Sequence, residues 1–134
     1  MKFNNDFVSF NTAKQLKKSG FNGPSLARYN AENGEITIST ETYLPWNDDC
    51  YVNLLCAPTL YDAQKWLRDE KGIHLSVHPM YDEDGIYYKY EIYNDYFKDD
   101  HLVNVNFNGV PFKTYEQALD NAIDVSAFYF AFGE

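Results

Sequence analysis

The sequence predicts an α+β fold, in which antiparallel strands form one or more sheets and about three helices pack on one face. Three observations predict this class. Two neighbouring segments alternate apolar and polar residues on either side of an acidic turn, which is typical of a β-hairpin. Two other segments carry apolar residues at helical spacing and begin at a capping residue. Tight turns join the predicted strands, and such turns favour antiparallel pairing.

The first half of the chain is predicted to form a short helix followed by strands. Asn11 or Thr12 can cap the helix, and Gly20 is placed to end it. Asn33 and Gly34 form a turn, because both residues tolerate the positive φ of tight hairpins. Extended segments are expected at residues 25–29, 35–40 and 51–55.

The helix predicted at residues 59–71 has the clearest boundaries. Thr59 and Asp62 approximate a capping box, and Gly72 is placed to end the helix. Strands follow at residues 73–80 and 86–93, joined by a turn at residues 82–85.

The last part of the chain is predicted to contain a polar link, a strand and a helix. The link covers residues 94–101, the strand covers residues 102–107, and Thr114 with Gln117 opens the helix. The aromatic end at residues 125–132 is consistent with either a helix or an extended segment. The order of one helix and about three strands, which occurs twice, also suggests a weak α-β-β-β duplication.

Length and composition indicate one globular domain covering residues 1–134. The chain is 45% hydrophobic and 18% aromatic, far more than a disordered chain carries. Its net charge of -9 argues against direct binding to nucleic acid or to a membrane. No signal peptide or apolar spanning segment is recognised, so a cytoplasmic location in a bacterial host is expected.

No metal site, cofactor or catalytic residue is predicted. His74 and His78 lie four positions apart on a predicted strand, about 13 Å, which is too far for two ligands of one zinc ion. Cys50 and Cys56 lack the spacing of a redox or zinc pair. The sequence leaves open whether these thiols are free, bridged or reactive, so a small cysteine-dependent enzyme stays an alternative.

Aromatic side chains provide the main candidate binding surface. Tyrosine on a half-solvated sheet offers a large contact area, few rotamers and a hydroxyl group, which suits protein binding. The predicted surface comprises Tyr81, Tyr87, Lys89, Glu91, Tyr93, Tyr96 and Phe97.

Two further surfaces are predicted in the C-terminal half. An apolar stripe of Val125, Phe128 and Phe132 is a candidate homodimer seam. Residues 73–134 carry eleven acidic and three basic side chains, so an acidic patch is expected there. Its candidate members are Asp82, Glu83, Asp84, Asp95, Asp99 and Asp100.

Three stretches resemble small proteins encoded by gut Bacteroides-type bacteria and by their phages and prophages. They are residues 13–21, residues 57–68 with the hairpin at 74–93, and residues 114–119. The second is the most distinctive, running from Ala57-Pro58-Thr59 to Lys65-Trp66-Leu67-Arg68. The resemblance implies a mobile-element context and carries over no active-site residue. The acidic link at residues 94–101 and the aromatic C-terminus depart from that group.

The sequence therefore predicts a non-catalytic phage or prophage accessory protein that binds a protein partner, with a homodimer as a further possibility. The alternative is an acidic inhibitor that mimics nucleic acid and blocks a host nuclease or defence protein. That alternative requires the acidic side chains to cluster on one face.

Overall fold

The computed structural model describes residues 6–39, 47, 53–94, 102–105 and 111–129. Three helices and two antiparallel three-stranded sheets in these residues confirm the predicted α+β class. The elements are α1 (Phe10–Lys18), β1 (Ala27–Asn30), β2 (Ile36–Ile38), β3 (Leu54–Ala57), α2 (Leu60–Lys71), β4 (Ile73–Asp82), β5 (Gly85–Asn94), β6 (Leu102–Val105) and α3 (Tyr115–Tyr129).

The two sheets differ in strand order although the elements repeat along the chain. The first sheet has the order β2-β1-β3, so its first strand is central. The second has the order β4-β5-β6, so its second strand is central. The two halves therefore share an order of elements without sharing a sheet topology.

The start of α1 differs from the prediction. Ser9 is the N-cap, and its Oγ accepts a hydrogen bond from the backbone N–H of Thr12 at 3.3 Å. Asn11 and Thr12, the predicted caps, lie inside the first turn. Three nearby polar residues could each cap the helix, and the extended backbone of Ser9 selects it. Gly20 follows the helix with φ 97°, as the predicted terminator requires.

Helix α2 and the hairpin of β4 and β5 agree with their local signals. Thr59 Oγ1 accepts the N–H of Asp62 at 3.1 Å, and Gly72 ends α2 with φ 67°. The hairpin register runs without a break from Ile73 opposite Asn94 to Asp82 opposite Gly85. The strands of the first sheet also form, although β3 lies about three residues beyond its predicted position.

Helix α3 continues into the aromatic C-terminal segment, for which the sequence is consistent with either a helix or an extended segment. Thr114 Oγ1 accepts the N–H of Gln117 at 3.1 Å, which is the predicted cap. The helix extends to Tyr129, so the described part of the aromatic segment is helical and not extended. The turn predicted at Asn108-Gly109 lies outside the described residues.

The core lies where the three helices meet the two sheets. Helix α3 contacts α1, α2, β4 and β5, and α1 also packs on β3. Leu16, Leu67, Tyr90 and Ile123 are among its fully buried side chains. The Tyr90 hydroxyl donates to Oδ1 of Asn121 at 2.9 Å, which satisfies the polar end of a buried ring. Among the described helices, none has both the length and the apolar composition needed to cross a bilayer.

Candidate binding surface

The hairpin of β4 and β5 presents two chemically different faces. Cross-strand partners point to the same side of a sheet, so the register assigns each side chain to a face. The inner face includes Ile73, Tyr90 and Ile92, which are fully buried in the core. The side chains of the other side, called the outer face here, are all partly exposed. The outer face consists of His74, Ser76, His78, Met80, Tyr87, Lys89, Glu91 and Tyr93.

A polar network crosses the outer face. Ser76 Oγ lies 3.0 Å from Nε2 of His78, and the same nitrogen lies 3.4 Å from Oε1 of Glu91. The Tyr93 hydroxyl donates to Oε2 of Glu91. This hydrogen bond raises the pKa of Tyr93, with smaller contributions from burial and from the charge of Glu91. Glu91 therefore contacts the imidazole of His78 on β4 and the phenol of Tyr93 on β5.

The network does not have the geometry of a serine-nucleophile triad. In such a triad the histidine contacts the serine through one ring nitrogen and the acid through the other. Here Ser76 and Glu91 both approach Nε2 of His78. The predicted tyrosine surface contains Glu91 and Tyr93 of this network but neither Ser76 nor His78. A two-residue turn sets the hairpin register, and that register would have identified Ser76 as the residue opposite Glu91.

The far end of the hairpin, called the tip here, consists of residues 81–86. Tyr81 and Ile86 are cross-strand partners, and they are 80% and 56% exposed. Both belong to the inner side, so the tip extends that apolar side beyond its buried part. Tyr81 therefore lies on the opposite side of the hairpin from Tyr87 and Tyr93, so these three residues do not form the single tyrosine surface that the sequence predicts.

Acidic side chains lie next to this apolar pair, in the turn. Asp82, Glu83 and Asp84 are all exposed in the turn that joins the strands. Oδ1 of Asp82 accepts the N–H of Asp84 at 2.8 Å, and Gly85 has φ 115°, so the turn has a defined shape. Three members of the predicted acidic patch thus lie together. Its other members, Asp95, Asp99 and Asp100, lie outside the described residues.

A cleft of about 430 Å³ opens beside the tip, between the turn and residues 111–113. Phe112 pairs with Tyr88 through two backbone hydrogen bonds of 2.8 and 3.1 Å, so this segment extends the sheet next to β5. Tyr115 packs edge-on against Tyr88, with ring centroids 6.1 Å apart. These contacts support the hairpin on one side close to the tip.

The edge of β4 that faces away from β5 is unpaired among the described strands, and it is restricted as a site for strand addition. Pro79 has no backbone N–H to offer to an added strand. The carbonyl of Leu75 already accepts a hydrogen bond from Nε2 of Gln64 at 3.2 Å. Contacts through side chains of the hairpin are therefore better supported than backbone pairing along this edge.

The predicted homodimer seam requires a correction. Val125 is only 8% exposed and belongs to the core, because α3 packs that side against other elements. Phe128 is 48% exposed, so the two residues do not form one open stripe. Phe132 lies outside the described residues, as do Tyr96 and Phe97 of the predicted tyrosine surface. The homodimer itself stays a prediction.

Neither the cysteines nor the histidines form a metal site among the described residues. Cys56 is fully buried in β3, and its Sγ donates to the carbonyl of Gly23 at 3.3 Å. Cys50 lies outside the described residues. Within the described ranges, no three His, Cys, Asp or Glu side chains converge as ligands of one metal ion.

Comparison of the chain with protein-family models, with curated proteins and with solved structures finds no match.

Proposed function

We propose that this protein is a non-catalytic accessory protein of phage or prophage origin that binds another protein through the tip of its β4–β5 hairpin. The observation that carries the proposal is the exposed pair of Tyr81 and Ile86, held side by side at the end of a supported hairpin. Aromatic and aliphatic anchors of this kind supply most of the affinity of protein interfaces.

Burial of the exposed apolar pair in an interface would stabilise a complex with a partner. Full burial of a large apolar side chain is worth about 1.5–3 kcal/mol. Tyr81 and Ile86 are cross-strand neighbours, so one apolar pocket on a partner can cover both. The pair is therefore the proposed centre of the interface.

The carboxylates of the tip define the rim of that interface. Asp82, Glu83 and Asp84 lie in the turn next to the apolar pair, and the whole chain carries a net charge of -9. A partner surface with an apolar pocket and a basic rim complements this arrangement. Such complementarity speeds association and makes it sensitive to salt.

The hairpin is preorganised for this role. Ten cross-strand pairs hold β4 against β5, and the pairing of Tyr88 with Phe112 supports it from the side. A recognition element that is already ordered loses little conformational entropy on binding.

The test compares a tip variant with a matched control. Tyr81→Ser combined with Ile86→Ser removes the apolar pair, whereas Tyr61→Ser removes a tyrosine that is 65% exposed on α2. Immobilised wild type, tip variant and control are exposed to host extract, and retained proteins are quantified by mass spectrometry. We expect a protein that wild type and control retain and that the tip variant loses. The thermal unfolding midpoints of the three should agree.

Equal retention by the tip variant and wild type would contradict the proposed site. A third variant, Asp82→Asn with Glu83→Gln and Asp84→Asn, removes three charges but keeps, at position 82, a side-chain oxygen that can accept the turn hydrogen bond. The clustering of these acids supports nucleic-acid mimicry as a second candidate function. Mimicry predicts loss of binding in the charge variant and retention in the apolar one, with displacement of the partner by nucleic acid.

A further inference from the structure

Among the described residues, the free edge of β2 lacks the side-chain contacts that close the free edges of β3 and β4. On β3, Nζ of Lys17 donates to the carbonyl of Leu54 at 3.2 Å. The N–H of Cys56 on the same strand donates to Oδ1 of Asn47 at 2.9 Å. The edge of β4 is restricted by a proline and by a glutamine side chain. On β2 no described residue hydrogen-bonds to the backbone groups that face away from β1.

The outward backbone groups of β2 belong to Ile36 and Ile38. In an antiparallel pair, alternate residues direct their N–H and C=O groups toward the partner strand. Glu35 accepts a backbone hydrogen bond from β1 at 2.9 Å, and the N–H of Ser39 donates to the residue before β1 at 2.8 Å. These two residues and Thr37 between them therefore face β1. Ile36 and Ile38 direct two N–H and two C=O groups away from it.

This edge is complementary to itself in the antiparallel register that places Thr37 on a two-fold axis. Ile36 of one copy then lies opposite Ile38 of the other, and the two such pairs form four backbone hydrogen bonds that use every outward group. Thr37 lies opposite its own counterpart, and Thr–Thr pairs stabilise sheets. Glu35 lies opposite Ser39, so the register places no two like charges opposite each other.

The side chains of β2 agree with this pairing. Ile36 and Ile38 are the cross-strand partners of Tyr29 and Ala27, which are buried, so both isoleucines belong to the core side of the sheet. Ile38 is nevertheless 37% exposed, because it lies at the edge. A second copy continues the apolar side across the junction and covers this part of Ile38.

The helices leave room for the second copy. Helix α1 packs on β3, which lies at the opposite edge of the sheet from β2. In the joined sheet the two β3 strands are five strand spacings apart, about 24 Å. A helix with its side chains is about 10–12 Å wide, so both α1 helices fit on the same side.

The charge distribution also favours contact at this edge. Residues 1–72, which include β2, carry eight basic and nine acidic side chains. Residues 73–134 carry three basic and eleven acidic ones. Pairing through β2 therefore brings together the nearly neutral halves of two acidic chains, where mutual repulsion is smaller.

We infer that the β2 edge joins two copies of this protein into a homodimer with one six-stranded sheet, in the order β3-β1-β2-β2-β1-β3, and with Thr37 at the two-fold axis. This interface differs from the seam that the sequence predicts on α3. It is also independent of the proposed contact at the hairpin tip.

A charge exchange at the axis tests the interface. Wild type, Thr37→Lys and Thr37→Glu are compared by sedimentation equilibrium over a range of concentrations. Tyr61→Lys is the control, because it adds the same charge at an exposed position on α2. We expect a reversible dimer for wild type and control. Each Thr37 variant should weaken it at least about tenfold, since two like charges face each other. An equimolar mixture of the two Thr37 variants should dimerise again.

Disulfide formation tests the register. In a pair of this type the Cα atoms lie about 4.5 Å apart, which suits a disulfide. Mild oxidation of Thr37→Cys should therefore give a covalent dimer beyond the amount that wild type forms through its own cysteines. Glu35→Cys is the matched control on the same exposed edge, because its two copies lie about 14 Å apart along the strands. It should cross-link no more than wild type.

Three results would overturn the inference. A wild-type chain that sediments as a monomer at every concentration would remove the dimer. A dimer that Thr37→Lys weakens no more than Tyr61→Lys would place the interface elsewhere. Equal cross-linking of Thr37→Cys and Glu35→Cys would exclude the register. Thermal unfolding of each variant verifies that it is folded.

Discussion

The backbone N–H of Ser9 donates to Oδ1 of Asp120 at 2.8 Å, a hydrogen bond between residues 111 positions apart. Ser9 is the N-cap of α1, so the bond joins the start of the first helix to the last one. The Thr12 hydroxyl also donates to the backbone carbonyl of Asp120, at 3.4 Å. Asp120 therefore ties two helices together while its carboxyl group is partly buried.

The stability of the protein should fall as the pH rises through the titration of Asp120 and Asp124. Burial raises the pKa of both groups, and for Asp124 the charge of Asp120 adds to the effect. The folded state then binds more protons than the unfolded state, so the free energy of unfolding decreases above the ordinary Asp pKa of 3.8. We expect thermal unfolding midpoints to be higher near about pH 4 than near about pH 6, by this contribution.

Variants separate this contribution from that of other carboxylates. Ser9 and Thr12 donate hydrogen bonds to Asp120. The charge of Asp120 also acts on Tyr29 of β1 and on Asp124 of α3, and in both of these residues burial is the larger cause of the raised pKa. Asp120→Asn should flatten the pH profile. Asp69→Asn is the control: a hydrogen bond from Lys65 lowers the pKa of Asp69, so its contribution to stability changes with pH below the ordinary Asp pKa of 3.8, and the variant should leave the decline above that pH nearly unchanged. An unchanged slope in the Asp120 variant would contradict the assignment.

Removal of the Tyr90 hydroxyl should destabilise the protein by about 1 kcal/mol. Tyr90 is fully buried, and its hydroxyl donates to Oδ1 of Asn121. Tyr90→Phe keeps the ring and removes this donor from α3. Chemical denaturation measures the free energy of unfolding, and Tyr61→Phe on the exposed side of α2 is the control. Equal stabilities of the two variants would show that the hydrogen bond contributes nothing net.

Gly72→Ala should destabilise the protein by about 1 kcal/mol, because Gly72 ends α2 with φ 67°. Asparagine tolerates the left-handed region better than alanine, so Gly72→Asn should cost less. Denaturation curves of both variants give the comparison. The same loss for both would place the cause in the side-chain surroundings and not in the backbone.

Thr59→Ala should destabilise the protein by about 1 kcal/mol through loss of the α2 cap. Thr59 Oγ1 accepts the N–H of Asp62, and alanine leaves that donor without its partner. Thr59→Ser keeps the oxygen and should retain most of the stability. If the serine variant were as unstable as the alanine variant, the threonine methyl group and not the cap would be responsible.

The parts of the fold that the sequence predicts are those with local signals. The cap of α2 and its terminating Gly72 lie within one turn of the helix ends that they define. The register of β4 with β5 follows from a two-residue turn, which brings each later pair into line. Neither signal depends on residues far away in the chain.

The parts that the sequence does not predict depend on contacts between distant segments. The sequence does not identify Ser9 as the cap of α1, because Asn11 and Thr12 are residue types that also cap helices. Val125 was expected at a surface, yet the packing of α3 buries it. The pairing of β1 with both β2 and β3 makes the first sheet different from the second, and short apolar strands carry no signal for this order.

By itself, then, the sequence determined the α+β class, the long hairpin and the concentration of acidic residues in the second half of the chain. Only the tertiary structure decided that Tyr81 and Ile86 stay exposed while Tyr90 is buried on the same side of the hairpin. It also decided that Asp120 lies against Ser9 in an aromatic cleft. The physical reason is that alternation assigns a side chain to a face, whereas burial depends on which distant element covers that face.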